Sequence, residues 1–332
     1  VSARRWVVGA GDPLTLQELV ARAGGDARAV ADGRVFVGRT RATSGEQSVA
    51  PGDEISIAPA PTPERAASGD AGELHILHDG GDLIAVHKPA GVVTIPDLHG
   101  AAQALSTRLA RQLGMDPRDL HPTSRLDREV SGVVVFSLTR EATARLAVAR
   151  EEGRYARRYV AIAHAIATAT ATATAPSVTS GKAPGALADR GTWNASIGRD
   201  RDPRKRKVNG RDPVSAVTRY AVAARSDDGA FALLALGPET GRTHQLRLHA
   251  SHAGVPLLGD RVYGGSGRLS VPGGRVAALD RIFLHAARVT VPGARGEMVT
   301  VTDEVPASLR ETWALLGGEA DAWDTGLACT LD

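Results

Sequence analysis

Asp127 lies two residues after Arg125 and four before Ser131, in the run HPTSRLDREVSGVVVF at residues 121–136. The apolar residues that follow read as a buried strand, so the acid sits on a turn at the strand's mouth. A carboxylate in a partly dry cleft needs a cation nearby to offset its desolvation, and a guanidinium two residues away supplies one. An acid held in this way acts as a nucleophile or as an electrostatic stabiliser. The plainer alternative is a structural turn closed by Arg125 and Asp127.

Three further stretches bear on this acid. Arg157-Arg158-Tyr159-Val160-Ala161-Ile162 follows a helix-like run from Glu141 to Glu152 and predicts the start of a central strand. Residues 241–249, GRTHQLRLH, alternate in polarity. That pattern predicts a strand with Thr243, Gln245 and Arg247 on one side, lining a cleft or, alternatively, a solvated edge. Residues 254–264, GVPLLGDRVYG, have the glycines and proline of a tight loop returning toward that cleft.

The elements that must position these groups are legible in outline. Residues 1–60 form a module of their own: a helix from Leu14 to Val20 with Thr15 as N-cap and Gly24-Gly25 as its stop, then strands at 33–37 and 54–57. Residues 61–73 are rich in Pro, Ala, Gly and polar residues and read as a linker. The large domain, 74–320, opens with a strand at 74–78 and a second at 82–86 that runs into His87-Lys88-Pro89-Ala90-Gly91. Alternating Ala and Thr within 167–190 mark a variable surface excursion, and 321–332 is expected to be a loose tail.

Bulk properties narrow the partners. With 332 residues, 42% of them hydrophobic, the chain can bury a real core, whereas 4% aromatics leave few platforms for stacking bases. A net charge of +3 permits a nucleic-acid partner without demanding one. A single cysteine, Cys329, excludes an internal disulfide. The histidines at 75, 78, 87, 121, 244 and 249 lack metal-ligand spacing. No run is apolar enough to span a membrane and no secretory pattern is seen, so a cytoplasmic protein is expected.

Taken in order, the motifs resemble the RluA-type family of RNA pseudouridine synthases. The family's Lys-Pro-x-Gly loop matches 88–91, and its His-Arg-Leu-Asp-x-x-Thr-Ser-Gly signature matches 124–132. Its basic-x-Tyr strand matches 157–159, its Gly-Arg-x-His-Gln-x-Arg-x-His segment 241–249, and its Gly-x-Pro-x-x-Gly-Asp-x-x-Tyr-Gly loop 254–264. The N-terminal module is similar to the S-four-type RNA-binding domain, whose pattern is two short helices, a GRV-V strand and a PGDEI strand. Its seven basic and seven acidic residues cancel, so any RNA grip must come from a patch such as Arg34, Arg39 and Arg41.

The resemblance implies an α+β fold: a mixed, mainly antiparallel sheet with flanking helices and a central catalytic cleft, beside a small N-terminal α/β domain. It implies isomerisation of uridine to pseudouridine in structured RNA, ribosomal or transfer, with no cofactor, metal or obligatory protein partner. Asp127 would be the essential aspartate, Tyr159 would sit against the base as a proton acceptor, and Arg247 would pair with Asp127. Arg125 would occupy the space left by the flipped nucleotide, and Lys88, Arg242, His244 and Gln245 would complete the substrate site. The run at 199–211 holds seven basic and two acidic residues, so Arg204, Lys205, Arg206 and Lys207 are candidate phosphate contacts or, alternatively, a solvated face. Two positions depart from the family: Ser124 stands where it has histidine, leaving His121 as a substitute anchor for the turn, and Val130 stands where it has threonine. They support the rival reading of a non-catalytic RNA-binding relative. A glycoside hydrolase is the weaker rival, since it needs two placed acids and Asp260 reads as part of a structural loop.

Overall fold

The computed structural model describes residues 4–12, 15–22, 29–30, 35–38, 40–42, 44–57, 73–96, 103–165, 187–271 and 275–331. The chain divides into two units, Val1–Asp70 and Ala71–Asp332.

In the first unit β1 (Arg4–Val7), α1 (Leu16–Arg22), β2 (Val35–Val37), β3 (Thr40–Arg41) and β4 (Glu54–Ile57) follow one another. The strands form an antiparallel sheet in the order β1-β4-β2-β3. Leu16, Leu19 and Val20 recur at helical spacing and close a small core with Val35, Ile55 and Ile57. Thr15 directs its hydroxyl to the Glu18 carboxylate at the start of α1. Of the expected basic patch, Arg34 and Arg39 lie outside the described residues, as does 58–72, which contains most of the expected linker.

The second unit begins with β5 (Ile76–Asp79) and β6 (Leu83–Lys88), then α2 (Leu105–Leu113), β7 (His121–Pro122), β8 (Ser131–Ser137), α3 (Arg140–Glu151) and β9 (Ala156–His164). Next come β10 (Arg190–Trp193), β11 (Ile197–Arg199), β12 (Arg206–Val208), β13 (Arg211–Val214), β14 (Thr218–Arg225), β15 (Phe231–Pro238) and α4 (Gln245–His252). The hairpin of β16 (Arg268–Val271) and β17 (Arg275–Ala278) precedes β18 (Leu284–Pro292), β19 (Met298–Thr302), α5 (Ala307–Leu315) and α6 (Ala322–Ala328).

The large sheet has the order β10-β14-β15-β9-β18-β8-β6-β5, with β19 added to β18 and β7 to β8. The β8–β18 pairing is parallel and the rest antiparallel, which is the mixed, mainly antiparallel sheet expected. Every residue of β8 is buried, as an apolar strand covered on both faces must be. One side of the sheet packs under Leu105, Leu109, Val134, Phe136, Tyr159 and Leu234, and the other packs Val160, Ile162 and Leu233 against Leu309, Trp313 and Trp323. At Gly132, φ is 126° and an added Cβ would run into the Ala286 backbone, so only glycine lets β8 lie this close to β18.

Three expectations are corrected. Residues 241–249 are not a strand: a loop ends at His244 in the left-handed conformation and α4 begins at Gln245. Six consecutive residues of that helix are buried, so no apolar face alternates with a polar one to betray its period. The segment after Asp321 is not a loose tail but α6, anchored by buried Ala322, Trp323 and Gly326. The excursion stops short of 190, because Leu187 is buried and Arg190 opens an edge strand, while 166–186 lie outside the described residues.

Candidate active site

A cleft of about 580 Å³ opens beside the sheet, within the size range of sites that bury small ligands. Its walls include Thr94, Pro96, Thr123–Asp127, Arg150, Arg157, Tyr159, Thr240 and residues 241–247. Among the described residues, five arginines (125, 150, 157, 242 and 247) and a single carboxylate, Asp127, line it. A cavity of that sign favours a polyanion.

Asp127 lies on the loop between β7 and β8. Its Oδ2 accepts a 2.8 Å hydrogen bond from Arg247 Nη1, and its side chain is 24% exposed. Arg247, only 5% exposed, is itself gripped from behind, because Nε and Nη2 donate to the two oxygens of Asp260 at 2.7 and 2.9 Å. Burial works against the Arg247 charge, but Asp260 and then Asp127 outweigh it and raise its pKa above the ordinary value. The guanidinium also lies over the Tyr263 ring, 5.1 Å from its centroid. The hydrogen-bonding edges of the guanidinium and one of its faces are thus occupied. Asp260, which the sequence suggested was merely structural, is the second shelf of the site, and its loop turns at Gly259, where φ is 82°.

His244 caps this arrangement. Its Nδ1 is 2.8 Å from the Tyr263 hydroxyl, and that hydroxyl already accepts the Arg206 backbone N–H. Having accepted that N–H, the hydroxyl can either donate to Nδ1 or accept from it, and a neutral ring keeps Nε2 3.9 Å from Asp127 Oδ1 in either tautomer. Burial lowers the His244 pKa, against the pull of Asp127, which favours that neutral ring. Tyr159, on β9, is buried at the cleft wall. Burial raises its pKa, and the charge and hydrogen bond of Arg157 work in the opposite direction.

The remaining expected residues divide. Arg125 is exposed at the cleft, and Arg242 lines it while donating from Nε to the Ser215 carbonyl. Gln245 reaches the cleft but its amide is spent: its oxygen accepts from the Thr240 hydroxyl and Arg242 N–H, and its nitrogen donates to Val217 O and Thr218 Oγ1. Lys88 does not reach the cleft. It is fully buried, and its Nζ donates to the carbonyls of Pro89, Val92 and Arg128 at 3.0, 2.7 and 3.2 Å. Burial lowers its pKa to about 7, opposed by Asp127 and Glu129. Its position under the loop that carries Asp127 gives it a supporting part, not a substrate contact. His249 is likewise interior, between Thr218 Oγ1 and the Ala195 carbonyl.

Arg204–Lys207 fall on and before β12, in a separate antiparallel sheet ordered β12-β11-β13. Arg204 is paired with Asp202, and Arg206 Nη1 bonds the carbonyls of Pro203 and Lys205. Lys207 is exposed and Lys205 half-buried. This sheet reaches the site through the Arg206–Tyr263 bond. Val130 is buried in the main core, so the hydroxyl it lacks would have pointed into apolar packing.

A family model described as RNA pseudouridylate synthase matches residues 82–252. The chain belongs to the RNA pseudouridine synthase family. An uncharacterised RNA pseudouridine synthase of Bacillus subtilis, YhcT, is 32% identical over 263 residues, covering 78% of each chain. Ribosomal large subunit pseudouridine synthase D of Xanthomonas campestris is 30% identical over 261 residues, covering 73% of this chain and 69% of the relative. Among solved structures, human RNA pseudouridylate synthase domain containing 1 superposes with a TM-score of 0.55 at 24% identity, over 80% of this chain and 98% of that one, a likeness of fold. The synthase is of the RluA type, an isomerase acting on RNA. No helix among its described residues is long and apolar enough to cross a membrane.

Proposed function

We propose that the synthase converts uridine to pseudouridine within structured RNA by drawing the nucleotide out of its stack into this cleft, with Asp127 as the catalytic group. The observation that carries this reading is the carboxylate of Asp127 held at 2.8 Å by Arg247 in a cleft whose other charged lining residues are arginines. A stacked uridine is out of reach, and extruding it costs a few kcal/mol. Arg125, exposed at the cleft, offsets part of that cost by stacking in the vacated space.

In the reaction the bond between N1 and the ribose C1′ breaks, the uracil turns, and C5 bonds to C1′. The hydrogen on C5 leaves and N1 gains one, so mass and oxidation state are unchanged. Asp127 acts at C1′ or on the base while the first bond breaks. Tyr159, whose phenol burial holds protonated, takes up the ribose 2′ hydrogen of an intermediate only as its own hydroxyl proton passes on to water, and only because that hydrogen has been made acidic. Arg247 keeps the carboxylate aimed. Lys205 and Lys207 contact phosphates beyond the cleft, and the N-terminal unit adds a second RNA contact. Because the Xanthomonas relative is named for the ribosomal large subunit, ribosomal RNA is the first substrate to test.

The test is product identity. RNA from cells lacking the gene, incubated with the synthase and digested to nucleosides, should yield pseudouridine at the expense of uridine. Release of free uracil with an abasic ribose would overturn the reading in favour of a hydrolase.

A further inference from the structure

With Ser124 in place of the family's histidine, something else must hold the loop that carries Arg125 and Asp127. His121 does not: it is exposed, and it is tied to β8 by its backbone, its carbonyl accepting from Ser137 Oγ. Thr94 holds the loop at Leu126 and Lys88 holds it at Arg128, and at its Thr123 end the contacts converge on Tyr155, which lies between α3 and β9 and matches none of the motifs. Its ring is buried in an apolar cluster with Leu83, Val133 and Leu146. Thr123 Oγ1 donates to the Val135 carbonyl at 2.9 Å, leaving its lone pairs to accept the Tyr155 hydroxyl at 2.6 Å. Arg150 lies over the same ring, 4.6 Å from its centroid, and donates to the Thr123 carbonyl. Arg157 lies 5.9 Å from that centroid and donates to the carbonyls of Pro238 and Thr240.

Thr123, Arg150, Arg157, Pro238 and Thr240 all line the cleft, whereas Tyr155 does not. We propose that Tyr155, with Arg150 and Arg157 against its ring, is a positioning residue. It braces the loop bearing Arg125 and Asp127, and through Arg157 it braces the loop bearing Arg242 and His244. A ring rooted in the core gives a rigid datum, and two planar guanidinium groups on it carry that rigidity to both loops. The inference rests on the functional reading above, since its readout is the rate of pseudouridine formation.

Tyr155→Phe keeps the ring and both guanidinium contacts and removes one hydrogen bond to the loop. In single-turnover assays on ribosomal RNA from cells lacking the gene, its rate constant should fall on the order of tenfold, the scale of a slight misplacement of reacting groups. RNA affinity and the unfolding midpoint should stay close to those of the unmodified synthase. Arg150→Ala, at an exposed position, should be slowed similarly, and Arg150→Lys should not recover, because an ammonium lacks the planar fork that stacks and donates together. A Tyr155→Phe variant at full speed overturns the proposal. So does an Arg150→Ala variant altered only in affinity and salt dependence and restored by lysine, which makes Arg150 a phosphate contact. Failure of the unmodified synthase to form any pseudouridine would instead overturn the functional reading and this proposal with it.

Discussion

At the residue scale the site is a line of three charges, Asp127–Arg247–Asp260, with the outer acid half-open to the cleft and the inner one 1% exposed. Removing the cation leaves two carboxylates facing a gap, and breaking a buried pair from one side costs about 3–5 kcal/mol. Arg247→Met should therefore lose about that much unfolding free energy in urea titration, whereas Asp127→Asn should lose far less, because Asp260 still neutralises the arginine. Adding Asp260→Asn to Arg247→Met should recover much of the stability and none of the activity. Equal losses for the single variants would contradict this account. The sequence made Asp127, Tyr159 and Arg247 legible through motif order, and the structure joins the first and last of them. Asp260 was hidden because a Gly-Asp pair in a turn is the commonest of structural signals, and only the fold shows whom the acid faces. Lys88 was misassigned as a substrate contact for the complementary reason: three backbone carbonyls that consume its three N–H groups leave no trace in the sequence.

At the scale of elements, the parallel β8–β18 contact sets the site, because it brings the loop before Ser131 alongside His285. His285, on β18, bonds Ser131 Oγ through Nδ1 at 2.9 Å, and Arg281 donates to the same oxygen at 2.6 Å. Burial lowers the His285 pKa from 6.5 to about 4, against the pull of Asp303. Since the folded protein resists charging this ring, the unfolded chain binds more protons between those values. Stability is then full above pH 6.5 and falls as pH drops toward 4, by about 3 kcal/mol from this group. Urea titrations across that window should show His285→Asn losing less than the parent; parallel losses would remove the argument. Strands β6, β8 and β9 were legible because short apolar runs bounded by turns are distinctive. Helices α4 and α6 were not, the first because it is buried all round, the second because a short helix with one buried tryptophan has the composition of a tail.

At the scale of the molecule, a net charge of +3 is too small to name a polyanion as partner. The sign is concentrated instead, in the arginine-lined cleft and in the basic sheet of β11–β13 linked to it through Tyr263. Replacing Lys205 and Lys207 with Ala should weaken RNA binding alike across sequences and reduce the salt dependence of log Kd by about 1 per lysine. Unchanged slopes would mean that this sheet is solvated surface. On the proposed function, the chemistry of the whole molecule happens at one carboxylate. Asp127→Asn preserves shape and hydrogen-bonding capacity, and Asp260 remains to hold Arg247, so the variant should fold and bind RNA. Pseudouridine mapping of RNA treated with it should give no modified position, at any enzyme concentration, where the unmodified synthase gives one. Modification by the Asp127→Asn variant at a measurable rate would show that the carboxylate is not the reacting group.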